Sequence, residues 1–252
     1  MPGEYNVQVA AQSQLSPHMR RVEFVGEALA DFPDNQESGY VKLQVPVAGG
    51  GHVMRSYTIR HFNLAQRRLV MDFVDHGDAG PASHWVRHCA VGEHIIIRGP
   101  GEKKLVDPAA DWYLIAGDLS ALPALSVNVE QLRADARGYV VIEVPDQRDI
   151  QPLEVPNNMS LRWMVNPDGS QPNRRLVDEV LQLKWLPGQV YPWFAGEFEA
   201  MRQMRRYFRD ERMVPRQNMY VSCYWKLGDS DEGMKQAKRL DAEADARAQA
   251  IA

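Results

Sequence analysis

The hydrophobic period of this chain changes once, near residue 105, and that change requires a fold of two unlike parts. From residue 5 to about 98, apolar side chains recur at every second position in short runs: VKLQV at 41–45, VMRSYTIR at 53–60, RRLVMDFVDH at 67–76 and HIIIRG at 94–99. Residues 33–39, 49–51 and 63–66 are rich in Pro, Gly and Asn and read as the turns between runs. One helix is expected among them, over 82–90, with Pro81 in its first turn. Many short strands and a single helix predict an antiparallel β-barrel for residues 1–105.

Beyond GPGEKKLVDPAAD at 99–111 the apolar residues gather into continuous runs. WYLIAG at 112–117, GYVVIEV at 138–144, LRWMV at 161–165, YPWFAG at 191–196 and MYVSCYW at 219–225 read as buried strands. Segments of helical spacing end near 134 and cover 174–183 and 197–212. Strands alternating with helices predict a parallel sheet with right-handed crossovers, an α/β domain over 106–228. The tail, 229–252, is helical by composition, with Asp229 or Ser230 as N-cap. Its Met234, Ala237, Leu240, Ala244, Ala248 and Ile251 recur at three and four, the pattern of a closing helix packed on its own domain; a partner-binding helix is the other reading.

Charge and cysteine content narrow the function classes. Of 252 residues, 44% are hydrophobic, enough for a sizeable core, and the net charge of -4 offers no global basic field for nucleic acid. The longest apolar stretches fall short of the ~20 residues of a bilayer helix, and the first residues lack the marks of a secretory signal. The cytoplasm is the expected compartment, and nothing in the sequence demands more than a monomer. Cys89 and Cys223 stand far apart, match no zinc spacing and are too few for an iron–sulfur cluster, which takes about four. Electron transfer by this chain requires an organic cofactor.

Three runs hold residue types suited to one. In Arg55-Ser56-Tyr57-Thr58, an arginine offers a fork to phosphate oxygens, an aromatic ring can lie on a conjugated system and hydroxyls can bond its edge. Alternation puts Arg55 and Tyr57 on one face and Ser56 and Thr58 on the other unless the strand twists. From Asp72 through Val74, His76, Ala79, Gly80, Ala82 and Ser83 to Trp85, a strand passes through a glycine turn into a helix start, where free amides and the helix dipole favour diphosphate. His76 alone reads as a surface or capping histidine, with no second histidine at helical metal-ligand spacing, so no metal is expected. AGDLSALPA at 116–124, with Asp118 and Ser120, stands where a dinucleotide fold places its phosphate turn, but G-x-G-x-x-G is absent and the run by itself reads as a capped helix.

Taken in order, RSYT, HGxxGPxxxW, AGDxSALPA, FAGE with EAMRxMRRYF at 194–208, and CYWKLG at 223–228 resemble the siderophore-interacting protein family of ferric-siderophore reductases, within the ferredoxin reductase-like flavoproteins. The resemblance implies a barrel that binds FAD, a nicotinamide-nucleotide-type domain that takes electrons from NADPH or NADH, and reduction of a ferric siderophore. It implies Arg55 on the FAD pyrophosphate and Tyr57 against the isoalloxazine, with Ser56 and Thr58 near its polar edge. Asp72, Val74 and His76 would lie along the flavin. Ala79, Gly80, Ala82 and Ser83 would hold the diphosphate with Trp85 packing nearby, and Asp118 and Ser120 would face the cofactor from the second domain. Lys226 matches the position linked to anionic siderophore, and Arg60 and His52 are further candidate cations. Leu119 departs from the family pattern, where many relatives have an acidic residue. No side chain is expected to act as acid, base or nucleophile. A general flavin reductase served by ferredoxin or another partner, and a flavin-free interaction module, remain as alternatives.

Overall fold

A computed structural model describes residues 3–78 and 80–251. The first half is a seven-stranded antiparallel sheet built from β1 (Gly3–Ser16), β2 (Met19–Val25), β3 (Tyr40–Pro46), β4 (His52–Thr58), β5 (His61–Asn63), β6 (Arg68–Val74) and β7 (His94–Gly101), in the order β4-β3-β7-β1-β2-β6-β5. β4 is laddered to β3, while β5, two residues further along, is laddered to β6. One stretch of chain therefore joins both ends of the sheet and curls it into a half-barrel, with β4 and β5 left as its edge strands. The alternation seen in the sequence supplies its filling: Val7, Val22, Phe24, Leu43, Leu69, Met71 and Phe73 are wholly buried. Helix α1 (Pro81–His88) packs Trp85 and Val86 into the same core. The β3–β4 turn needs its glycines, since Gly49, Gly50 and Gly51 all have φ near +90°.

The second half is a five-stranded parallel sheet of β8 (Trp112–Asp118), β9 (Arg137–Val144), β10 (Asn158–Val165), β11 (Val190–Glu197) and β12 (Tyr220–Trp225), ordered β10-β9-β8-β11-β12. Helices α2 (Leu122–Glu130), α3 (Arg174–Gln182) and α4 (Phe198–Arg206) make three of the crossovers. The expected alternation fails once. Between β9 and β10 the chain runs through Pro145, Pro152 and Pro156 with a single 3₁₀ turn, Gln147–Asp149, because each proline removes an amide and restrains its predecessor. The order reverses between β8 and β11, so their carboxyl ends form the switch point at which such sheets bind ligands.

Eight of the nine residues of α2 are buried, because the helix lies between the parallel sheet and the barrel, where Met19 joins its hydrophobic cluster. Polar ties fix the two halves together. Ser16 Oγ donates to Asp149 Oδ1 at 2.7 Å, His18 Nδ1 lies 2.7 Å from Asp149 Oδ2, and Arg60 forks onto Glu130. Cys89 sits in the barrel core and Cys223 in β12, both as free thiols; burial pushes them up to about 11 and about 12.

The tail is α5 (Asp231–Ile251), capped by Ser230, whose Oγ accepts the Gly233 amide at 3.1 Å. It closes onto its own domain differently from the apolar stripe expected. Met234 and Ala237 pack on the sheet's core, but Leu240 is half exposed, and the next turns hold on by charge: Asp241 takes Arg202 and Arg205 of α4, and Asp245 takes Arg209. No helix among the described residues is long and apolar enough to cross a membrane.

Candidate functional site

A cleft of about 950 Å³ opens where the two halves meet. The edge of β4 and the start of α1 form one wall, and the carboxyl ends of β8, β9 and β12 with the first turns of α5 form the other. Of the residues picked out from sequence, Arg55, Ser56, Tyr57, Thr58, Asp72, Val74, His76, Gly80, Ala82, Ser83, Asp118, Ser120 and Lys226 all line it. Ala79 lies outside the described residues. The two faces of β4 both reach the cleft because this strand is laddered on one side only, to β3.

Three expectations are corrected. Arg60 does not face the cleft: the strand breaks after Thr58, and its guanidinium turns to Glu130 at 2.5 and 2.8 Å. His52 stands at the opposite end of β4 from Thr58, six residues or about 20 Å along an extended chain. Trp85 is 5% exposed and points into the barrel, parallel to Phe24 at 6.3 Å, with its Nε1–H on Glu93 at 2.6 Å. It braces α1 from behind and does not reach the cleft.

The geometry of the lining decides what each residue can do. Tyr57 leans on Phe73, centroids 4.2 Å apart, which fixes the phenol ring against the barrel wall. Gly80 has φ +112° and open space where a Cβ would stand. Among the described residues the first bond of α1 is His84 N–H to Gly80 O at 3.0 Å, so the Ala82 and Ser83 amides precede the helical ladder and can meet an anion. The Ser83 hydroxyl is already used: it donates to Gly77 O at 2.6 Å and accepts from the His76 amide at 2.8 Å, so it shapes the turn. Asp72 is likewise committed, to a two-pronged pair with Arg21 at 2.7 and 2.8 Å. Arg55 reaches across the cleft to Glu232 of α5 at 3.2 Å, so a carboxylate is seated on this guanidinium.

On the far wall Asp118, at the end of β8, accepts from Ser120 N and Oγ at 2.9 and 2.5 Å and from Trp225 Nε1 at 2.7 Å. Lys226 is paired with Asp229 at 2.7 Å, and that hydrogen bond raises its pKa. His76 is pushed down by burial, against the upward pull of Asp75 and Asp118, and is neutral at pH 7. With its folded-state pKa below the unfolded value, the unfolded chain takes up the proton first as pH falls through about 6.5, so stability is lost on acidification. His76→Gln is expected to lose less stability than the parent between pH 7.5 and 5.5. Urea unfolding at the two pH values checks this; equal losses in both proteins would contradict it.

Sequence reading missed part of the cleft: Lys42, Lys104, Glu143, Asn173 and Lys238 also line it. Glu143 ends β9 and Asn173 precedes α3, so the rule that ligands gather at strand carboxyl ends was a usable signal for both. The same network explains Gly196 of the FAGE motif. Asn173 Oδ1 accepts the Glu197 amide at 2.8 Å, and a Cβ on Gly196 would come within 2.4 Å of that oxygen.

An antiparallel half-barrel joined to a parallel sheet, with a cleft between them lined by Arg55, Tyr57 and the start of α1, is the ferredoxin reductase-like fold. The ferredoxin reductase of carbazole 1,9a-dioxygenase shares the fold, at a TM-score of 0.67 over 88% of this chain and 69% of that one with 16% identity. The chain belongs to the siderophore-interacting protein family. The model of the siderophore-interacting protein domain matches residues 110–228, and that of the siderophore-interacting FAD-binding domain matches 8–53 and 50–104. The siderophore-interacting protein SipS from Aeromonas hydrophila superposes with a TM-score of 0.86 and 33% identity, over 96% of this chain and 99% of that one. Ferric vibriobactin reductase ViuB of Vibrio cholerae is 31% identical over 90% of both chains. An uncharacterised protein of Mycobacterium tuberculosis, Rv2895c, is 34% identical over 95% of this chain and 96% of its own.

Proposed function

We propose that the chain is a cytoplasmic ferric-siderophore reductase that holds FAD in the cleft and takes electrons from NADPH or NADH. The observation that supports this best is the convergence of one aromatic ring, one arginine and one set of free helix amides on a single wall of the cleft. These residues fit FAD: Tyr57 offers a fixed ring face, Arg55 already accommodates an anionic group, and Gly80 leaves room for close approach at the start of α1. Residues 1–105 would hold the cofactor and 106–228 the electron donor, with Asp118 and Ser120 at the join.

When bound, FAD converts the two electrons of a hydride donor into single electrons for iron. The balance is one nicotinamide oxidised, one proton released and two ferric ions reduced. Hard anionic oxygens grip Fe(III) more tightly than Fe(II), so reduction loosens the chelate. The chain contributes position and charge: Tyr57 and the β4 edge orient the cofactor, and Lys226, Lys104 and Lys42 draw an anionic complex to the cleft despite the acidic net charge. No side chain transfers a proton to the iron complex.

Lys226→Ala is expected to raise KM for a ferric siderophore about tenfold, the worth of one charged hydrogen bond, while kcat and bound flavin stay unchanged. Lys226→Arg should keep most of the affinity. Unaltered kinetics in the alanine variant would show that Lys226 serves only Asp229.

The function is tested by reducing the yellow protein anaerobically with NADH, NADPH and reduced ferredoxin in turn, then mixing it with several ferric siderophores. Rapid return of the oxidised flavin spectrum with release of Fe(II) is expected. A protein that cannot be loaded with FAD would reject the reading, and one whose reduced flavin ignores ferric chelates would be a flavin reductase with another acceptor.

A further inference from the structure

Away from the cleft, the described residues bring Asp78, His84 and His88 together on the outer surface of the barrel half, one candidate donor atom of each within 4.8 Å of the others. The pair four apart that is lacking around His76 stands here instead. α1 sets His84 and His88 one turn apart on the same face, with ring centroids 4.4 Å apart and planes tilted by 31°. Asp78, from the turn before the helix, places Oδ1 3.3 Å from His84 Nδ1 and 3.9 Å from His88 Nδ1. The backbone holds this arrangement, since Gly80 N–H donates to Asp78 O at 3.0 Å and His84 N–H to Gly80 O at 3.0 Å.

A tetrahedral ion with bonds of about 2.0–2.1 Å has ligand atoms about 3.3 Å apart. The Asp78–His84 separation meets that value, and the longer one closes by rotation of exposed side chains. His88 Nδ1 also lies 2.8 Å from the His84 carbonyl oxygen, and the same rotation of the exposed ring releases Nδ1 from that contact. Two imidazoles and a carboxylate suit first-row transition ions, whereas Mg²⁺ and Ca²⁺ require oxygen donors nearly throughout. The side chains are all more than half exposed, so water can complete the coordination.

We infer that Asp78, His84 and His88 form a binding site for a divalent first-row transition metal ion, outside the flavin cleft. Its position gives it a structural consequence. Ser83, adjacent to His84, lines the cleft with Gly80, so an ion bound outside staples the turn that shapes the cleft inside.

The test is calorimetric titration of the full chain, free of any histidine tag, with NiCl₂, ZnCl₂ and MgCl₂ at pH 7.5. One Ni²⁺ or Zn²⁺ per chain is expected, with no Mg²⁺ binding. His84→Asn and His88→Asn should each weaken binding at least about tenfold, and Asp78→Asn should weaken it less. The melting temperature should rise with Ni²⁺ in the parent and not in the double histidine variant, whose metal-free melting matches the parent because both rings are exposed. The site is refuted by the absence of stoichiometric binding, by affinities that ignore all three substitutions, or by Mg²⁺ binding as strongly as Ni²⁺.

Discussion

Arg55→Ala protein is expected to leave purification nearly colourless, with its dissociation constant for FAD raised about 10- to 150-fold. A charge-assisted bond to phosphate is worth about 1.5–3 kcal/mol, which converts to that range. The argument rests on where Arg55 stands. It projects from β4 at the cleft wall, one-fifth exposed, and holds a carboxylate of α5 at 3.2 Å. Removing the guanidinium leaves the helix amides after Gly80 and the Lys42 ammonium as anion donors on this wall. Glu232→Gln should act in the opposite direction, because it withdraws the competing carboxylate, and is expected to tighten FAD a fewfold. Fluorescence titration of the apoprotein measures both. If Arg55→Ala retained stoichiometric flavin at parental affinity, the phosphate arm would lie elsewhere.

The largest effect on stability is expected from Glu143→Ala. This carboxylate is 5% exposed and fills the hydrogen-bonding needs of the α3 entrance. Oε1 accepts the Asn173 amide at 2.6 Å and the Asn166 side chain at 3.2 Å, and Oε2 accepts the Leu176 amide at 3.0 Å. Alanine would leave those donors buried without acceptors, at a cost of about 3 kcal/mol, or of order 10 °C in Tm for a chain of this size. Glu143→Gln keeps one acceptor and presents an amide NH₂ to the other donor, so it should fall between. Thermal unfolding monitored by circular dichroism distinguishes the three proteins, and an alanine variant as stable as the parent would mean that water replaces the carboxylate.

The barrel wall of the cleft was legible in the sequence because its chemistry is local. Arg55 to Thr58 are consecutive on one strand, and Asp72 to Ser83 follow one another from β6 into α1. The opposite wall is assembled from the ends of β9 and β12 and from α5, so Glu143, Asn173 and Lys238 are neighbours only after the sheet has formed. Arg60 shows the same limit from the other side. The run VMRSYTIR reads as one strand, yet the chain bends after Thr58 to curl the sheet into a half-barrel, and the partner that claims Arg60 lies 70 residues away. Trp85, which the resemblance sets near the diphosphate, lies behind α1, where its ring joins Phe24 and Phe73. Among the described side chains the closing helix packs its apolar stripe through Ala237, and beyond it Arg202, Arg205 and Arg209 pair with Asp241 and Asp245; the side chains of Ala248 and Ile251 lie outside those described.

Glu232 has a consequence for solution behaviour. Because α5 lays its own carboxylate on Arg55, a dinucleotide arriving there exchanges one anion for another and does not neutralise a bare cation. Fewer small ions are released to bulk on complex formation, and added electrolyte weakens the resident pair together with the incoming one. Retention of the cofactor should therefore vary little with ionic strength, and Glu232→Gln should make it salt-sensitive.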